Sequence, residues 1–184
     1  MSGADIFARY NPAVFTIFTS DGSNDFQGSG FFISADGIAV SNYHVFRHTY
    51  QSLARIKTSD GKEHEVEEVI AKDADDDVFI FRVKCSRKYP FVPISKRPVR
   101  VGEKAYAIGS PHGLENTFSS GEISQLREDF IQISVPIDHG SSGGVLLNSY
   151  GEAIGITTAG YDRSTANLNF AKDIHNIEKY ITVN

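Results

Sequence analysis

Apolar and β-branched runs recur at short intervals along this chain, with Gly, Asp, Asn or Ser between them, and this spacing predicts many short strands joined by turns. The runs are Val14 to Phe18, Gly30 to Ile33, Ile38 to Val40, Leu53 to Ile56, Val66 to Ile70, Val78 to Val83, Ala105 to Ile108, Phe130 to Val135, Val145 to Leu147, Ala153 to Thr158 and Leu168 to Ala171. The turn signals Ala35-Asp36-Gly37, Ser59-Asp60-Gly61 and Ser149-Tyr150-Gly151 supply the positive-φ positions that hairpins need. Helical character is confined to a short turn over His44 to Tyr50 and to Asp173 to Val183. In the latter, Ile174, Ile177 and Ile181 share a face and Asp173 is placed to cap the first turn. The expected class is all-β with a C-terminal helix.

Ser86 to Pro98, rich in proline and basic residues, reads as a linker (86–98) between an N-terminal β unit of about 5–85 and a C-terminal one of about 99–171, followed by the helix 173–183. An antiparallel double barrel closes its own edges and suits strands so short and numerous. The 184 residues suffice for one such domain with a substantial core. With 40% hydrophobic and 22% charged residues the chain reads as folded, and no apolar run reaches membrane-spanning length, so no membrane insertion is expected. The first twenty residues show neither a basic start with an apolar block nor a small-residue cleavage site. That predicts a cytoplasmic chain, or an exported or multidomain protein cut down to this part. The net charge of -5 and the scattered Lys and Arg argue against a nucleic-acid partner. Cys85, the single cysteine, can form no internal disulfide, so packing alone must hold the fold.

The stretch His139-Gly140-Ser141-Ser142-Gly143-Gly144-Val145 sets two serines among glycines. A serine hydroxyl attacks at neutral pH only with a base to take its proton, a group to orient the base, and donors for the oxyanion. Gly140 can adopt backbone angles closed to other residues, so its N–H and that of Ser142 can converge on one small hole. Gly and Ser also build plain flexible loops, so the stretch alone leaves both readings open. A base is available in His44, within Ser41-Asn42-Tyr43-His44-Val45 just past an apolar strand. An orienting carboxylate is available in Asp77, which closes the acidic run from Asp73 and directly precedes Val78-Phe79-Ile80-Phe81. His48 lies four positions after His44 but lacks a third ligand for a metal. His64 and His175 read as exposed, His112 as a turn residue, and His139 as a neighbour of the glycine loop.

Several segments carry a resemblance: Gly28-Ser29-Gly30-Phe31-Phe32-Ile33, Ser41-Asn42-Tyr43-His44-Val45, Asp77-Val78-Phe79-Ile80-Phe81, Ile108-Gly109-Ser110-Pro111-His112-Gly113-Leu114 and Gly140-Ser141-Ser142-Gly143-Gly144-Val145-Leu146. With Gly121-Glu122-Ile123-Ser124, Gly151 to Ile156 and Asn169-Phe170-Ala171, they cover nearly the whole chain in order. The chain resembles chymotrypsin-fold (trypsin-like) serine proteases, and most closely the protease domain of the HtrA/Deg family. The resemblance implies one protease domain over 1–184, built of two antiparallel six-stranded barrels, that cleaves protein or peptide substrates without metal or organic cofactor. It implies Ser142 as nucleophile, His44 as general base and acid, Asp77 as the group fixing the imidazole, and the Gly140 and Ser142 amides as oxyanion donors. It implies substrate binding by Ile137, His139 and the strand Thr157, Thr158, Ala159 and Gly160. The apolar Val135, Pro136 and Ile137 before the serine suggest a small or medium aliphatic residue ahead of the scissile bond. Ser141 stands where the family usually has Asn, a departure that bears on the rigidity of the oxyanion loop. In the HtrA family, partner domains and oligomer contacts often order the active site. The alternative expectation is therefore a peptide-binding pseudoprotease or an activator-dependent module with a latent site, and an oligomer is compatible with either.

Overall fold

The computed structural model describes residues 1–47, 49, 54–84, 87–110, 115–138, 140–158 and 169–181. Its strands are β1 (Val14–Ser20), β2 (Asp25–Phe32), β3 (Ile38–Ser41), β4 (Arg55–Lys57), β5 (Glu63–Asp73), β6 (Val78–Val83), β7 (Lys104–Gly109), β8 (Thr117–Leu126), β9 (Ile131–Ile133), β10 (Val145–Leu147), β11 (Ala153–Thr158) and β12 (Asn169–Asp173). They close into two six-stranded antiparallel barrels, in the order β1-β2-β3-β6-β5-β4 and β10-β11-β12-β9-β8-β7. Among the described residues two short α-helices accompany them, α1 (Gly3–Tyr10) and α2 (Tyr43–Phe46). No helix among the described residues is long and apolar enough to cross a membrane.

Strands at the barrel–barrel contact are apolar on both faces, which explains their unbroken runs. In β6, Phe79, Phe81 and Val83 fill the first barrel, while Val78 and Ile80 point into a core shared by both barrels. In β10, Val145 and Leu147 join the shared core and Leu146 enters the second barrel. The first barrel is filled largely by aromatics, with Phe46 stacked on Phe79 at 4.1 Å and Phe32 on Tyr89 at 4.2 Å. The second is filled by Ala, Ile, Val and Leu. From 87 onward the linker is extended and stitched to both barrels: Val92 N–H donates to the Phe32 carbonyl, and Ser95 N–H to that of Ala153.

Three elements depart from the sequence reading. β8 carried no strand signal because its sequence, Thr-Phe-Ser-Ser-Gly-Glu-Ile-Ser-Gln-Leu, buries only Ile123 and otherwise faces outward or is half-covered. The N-terminal helix α1 was not expected either. It is capped by Ser2, whose hydroxyl accepts from the Asp5 amide, and it buries Ile6 and Tyr10. The helix expected over 173–183 is, among the described residues, a four-residue 3-10 helix, Ile174–Ile177, with turn residues through Tyr180. Asp173 does cap it, accepting from the His175 amide, but β12 runs through Asp173 and leaves only a short descent in which Ile174 and Ile177 reach the shared core. Cys85, His48 and His112 lie outside the described residues, as do Leu53, Leu168 and the last residues of the expected helix.

Candidate active site

His44 is delivered by the end of β3. Pairing of Ser41 with Phe79 on β6 holds the strand to its last residue, Asn42 turns the chain, and His44 falls in the first turn of α2. The Asn42 side chain, fully buried, donates its amide to the Asp77 carbonyl at 3.2 Å, tying the helix entry to the turn before β6. Asp77 has φ +51°, the one non-glycine residue among those described in the left-handed region, a conformation that Asp tolerates better than most side chains. From there its carboxylate meets His44 twice: the His44 amide donates to Oδ1 at 2.9 Å, and ring Nδ1 lies 2.9 Å from Oδ2. An ionised carboxylate only accepts, so Nδ1 carries the proton in this pair and Nε2 is the basic nitrogen of the neutral ring. The pair is sheltered, with Asp77 14% and His44 31% exposed.

Ser142 belongs to the second barrel, in the loop before β10. Gly140 and Gly143 have φ +87° and +93°, conformations that glycine takes without penalty. The loop is held by its own backbone and by two side chains. Ser141 N–H donates to Asp138, Gly143 N–H to Thr157 and Gly144 N–H to Ser141. The Thr157 hydroxyl donates to the Ser141 carbonyl at 3.0 Å. Ser29, on β2 of the other barrel, donates its hydroxyl to the Gly140 carbonyl at 2.7 Å and its amide to the Ser142 carbonyl at 2.8 Å. The Ser29 hydroxyl in turn accepts from the Ser110 amide at 2.9 Å, and its carbonyl accepts from Ser41 at 2.7 Å. Beyond its own backbone, the loop is therefore held by Ser29 and Thr157.

Gly28 marks where the two halves of the site meet. A Cβ there would lie 2.7 Å from Val45, the neighbour of His44, and 3.3 Å from the Ser142 carbonyl oxygen. Beside His44 and Asp77 opens a cleft of about 500 Å³, walled by Tyr43, Phe130, Thr158 and Phe170. Phe130 and Phe170 meet edge to face at 4.6 Å. Thr158, expected to touch substrate, lines this cleft, although its buried hydroxyl oxygen has no partner among the described residues. Ile137 and Thr157 instead line a smaller depression of about 190 Å³ beside Phe118, Pro136 and Ser141. There Thr157 is 1% exposed and its hydroxyl is engaged by the loop. His139, Ala159 and Gly160 lie outside the described residues. Sequence reasoning assigned no role to Ser29, Ser41 or Asn42. Ser29 and Ser41 are visible only as letters within motifs, since their partners are distant in sequence.

A family model described as "Trypsin-like peptidase domain" matches residues 28–156. The chain belongs to the trypsin-like peptidase domain family. Within that family, the domain is 32% identical over 168 residues to serine protease HTRA1 of Xenopus tropicalis, a match covering 84% of this chain and 35% of the relative. It is 34% identical over 154 residues to a probable periplasmic serine endoprotease DegP-like of Rhizobium meliloti, covering 79% of this chain and 30% of the relative. The crystal structure of the serine endoprotease from Yersinia pestis superposes with a TM-score of 0.87 at 28% identity, over 97% of this chain and 65% of that one. This trypsin-like domain thus spans about a third of the curated relatives it matches.

Proposed function

We propose that this chain is a serine endopeptidase domain that hydrolyses peptide bonds in protein substrates through Ser142, His44 and Asp77. The observation that carries the reading is the double contact of Asp77 with His44, through the main-chain amide and through Nδ1, beside the loop that bears Ser142. Asp77 fixes the tautomer in which Nε2 can take a proton, and it stabilises the imidazolium that follows. Ser142 Oγ attacks the scissile carbonyl as His44 removes its proton. The amides of Gly140 and Ser142 receive the oxyanion. His44 then protonates the leaving amine, leaving an acyl-enzyme that water opens by the same steps in reverse. Fixed loop donors need no reorientation as charge develops, which is where such sites gain most of their rate. The residue before the scissile bond is aliphatic in this reading, because Pro136 and Ile137 precede the loop and Ile137 packs on the second-barrel core.

The test is labelling by a fluorophosphonate probe together with cleavage of a peptide library, wild type beside Ser142→Ala. Labelling and cleavage that vanish in the variant support the reading. A wild-type protein that neither labels nor cleaves, yet binds extended peptides, would replace it with a peptide-binding module.

A further inference from the structure

After β12 the chain leaves the second barrel and returns to the acidic turn of the first. Ile174 and Ile177, at 0% and 1% exposure, root the short 3-10 helix in the shared core. The next turn carries Lys179 and Tyr180 to the β5–β6 connection. The Tyr180 hydroxyl donates to Asp73 Oδ2 at 2.6 Å, and Lys179 Nζ donates to Asp76 Oδ2 at 2.6 Å. The other oxygen of Asp73, Oδ1, accepts the amides of Asp75 and Asp76 at 2.9 Å each. One carboxylate therefore closes the turn with one oxygen and is moored to the C-terminal segment by the other. The next residue after this turn is Asp77, in its left-handed conformation.

We propose that Tyr180 and Lys179 are positioning residues: by mooring Asp73 and Asp76 they hold the turn that presents the Asp77 carboxylate to His44, and so set the base of the first barrel against Ser142 of the second. The proposal rests on the triad reading of the site. A left-handed aspartate persists only where its surroundings hold it, and the backbone just before Asp77 is held by Asp73. The moorings reach that turn from the far barrel, so they also fix the two barrels relative to each other near the cleft. Tyr180 matters more than Lys179, because it bonds the carboxylate that closes the turn. The Lys179–Asp76 pair, with Lys179 57% exposed, is largely in solvent. The Asp73 carboxyl is accordingly held below its ordinary value, first by the Tyr180 hydroxyl and then by the Asp76 amide. Asp75, Arg47 and Lys172, the other charged groups beside His44 and Asp77, are untouched by the substitutions that test this.

The experiment compares Tyr180→Phe, Asp73→Asn, their double variant and Lys179→Met with wild type. It measures kcat and KM on a peptide that the wild type cleaves, and the proton NMR resonance of the His44 Nδ1–H. Tyr180→Phe is expected to lower kcat about tenfold at unchanged KM, less than the ~10²-fold that an ångström of misplacement can cost. It is expected to broaden the His44 resonance and move it upfield, and the double variant should be no worse than the worse single one. Lys179→Met should lower kcat about twofold, in keeping with an exposed pair, and carries the test if Tyr180→Phe does not fold. Variants that lose thermal stability but keep wild-type kcat and an unaltered His44 resonance would overturn the proposal. A wild-type protein without turnover sinks the triad reading instead, and the His44 resonance still judges the mooring.

Discussion

The hydroxyl of Ser29 donates to the carbonyl of Gly140 across 2.7 Å, joining a strand of the first barrel to the loop of the second that carries Ser142. The same residue's amide holds the Ser142 carbonyl, so one side chain and its backbone grip the loop on both sides of the proposed nucleophile.

Ser29→Ala leaves the Gly140 carbonyl and the Ser110 amide without their partner. The expected loss of stability is about 1–3 kcal/mol, the cost of an orphaned buried polar group, read by urea denaturation. Because the freed Gly140–Ser141 peptide lies between the two amides proposed to receive the oxyanion, kcat should fall by about tenfold or more with little change in KM. A fall in KM-derived affinity at constant kcat would contradict this account.

Gly143→Ala tests the backbone of the same loop. At φ +93° a side chain is strained, and an added methyl is driven into the Ser29 carbonyl and the Ser41 hydroxyl. Strain and overpacking together should cost about 2–5 kcal/mol and abolish labelling by a fluorophosphonate. Gly61→Ala also sits at positive φ, but no described residue lies within 4 Å of its added methyl, and it should leave activity unchanged.

Asp77→Asn keeps the size of the side chain and removes its charge. The amide can donate to Nδ1 and favour the wrong tautomer, so kcat should drop by up to about 10⁴-fold, the size of the corresponding change in the protease template for such triads. A drop of less than tenfold, measured on the same peptide, would mean that Asp77 does not orient His44.

His175 predicts a pH dependence of stability away from the cleft. Its Nδ1 lies 2.7 Å from Asp173 Oδ1 and its Nε2 2.6 Å from the Ser95 carbonyl, two acceptors that only the doubly protonated ring can satisfy. Partial burial pulls its pKa down, but the bonds to Ser95 and Asp173 outweigh it, and the net shift is upward from 6.5. A raised folded-state pKa means that the stabilisation is full below the unfolded value and is lost as pH rises through the folded one. The stability difference between wild type and His175→Gln should therefore be largest near pH 5.5 and shrink above neutrality, as followed by urea denaturation across that range.

Much of this architecture could be read from the chain because burial writes itself into local pattern. β6 and β10 face two cores at once and are apolar throughout, so their runs were plain, and the positions of His44 and Asp77 followed from the strand ends beside them. β8 faces largely outward and left no such trace. The short helix α1 carries Ile6, Phe7 and Tyr10 on eight residues, too brief a stretch to stand out among strands. His175 read as an exposed surface residue and is instead half-buried between Asp173 and Ser95. The contacts of Ser29 with Gly140 and of Tyr180 with Asp73 span 111 and 107 residues. Single polar side chains with partners so distant create no periodicity, and only the closed barrels bring them together.

The helix α1 lies against strands translated about a hundred residues after it: Ile6 shares a core with Tyr106, and Phe7 meets Phe118 edge to face at 6.1 Å. On the ribosome, the part of its greasy side that meets Tyr106 and Phe118 therefore waits until β7 and β8 emerge. Until those strands are made, that side of α1 is an unfinished surface, one that a chaperone or a nascent neighbour can reach before they do.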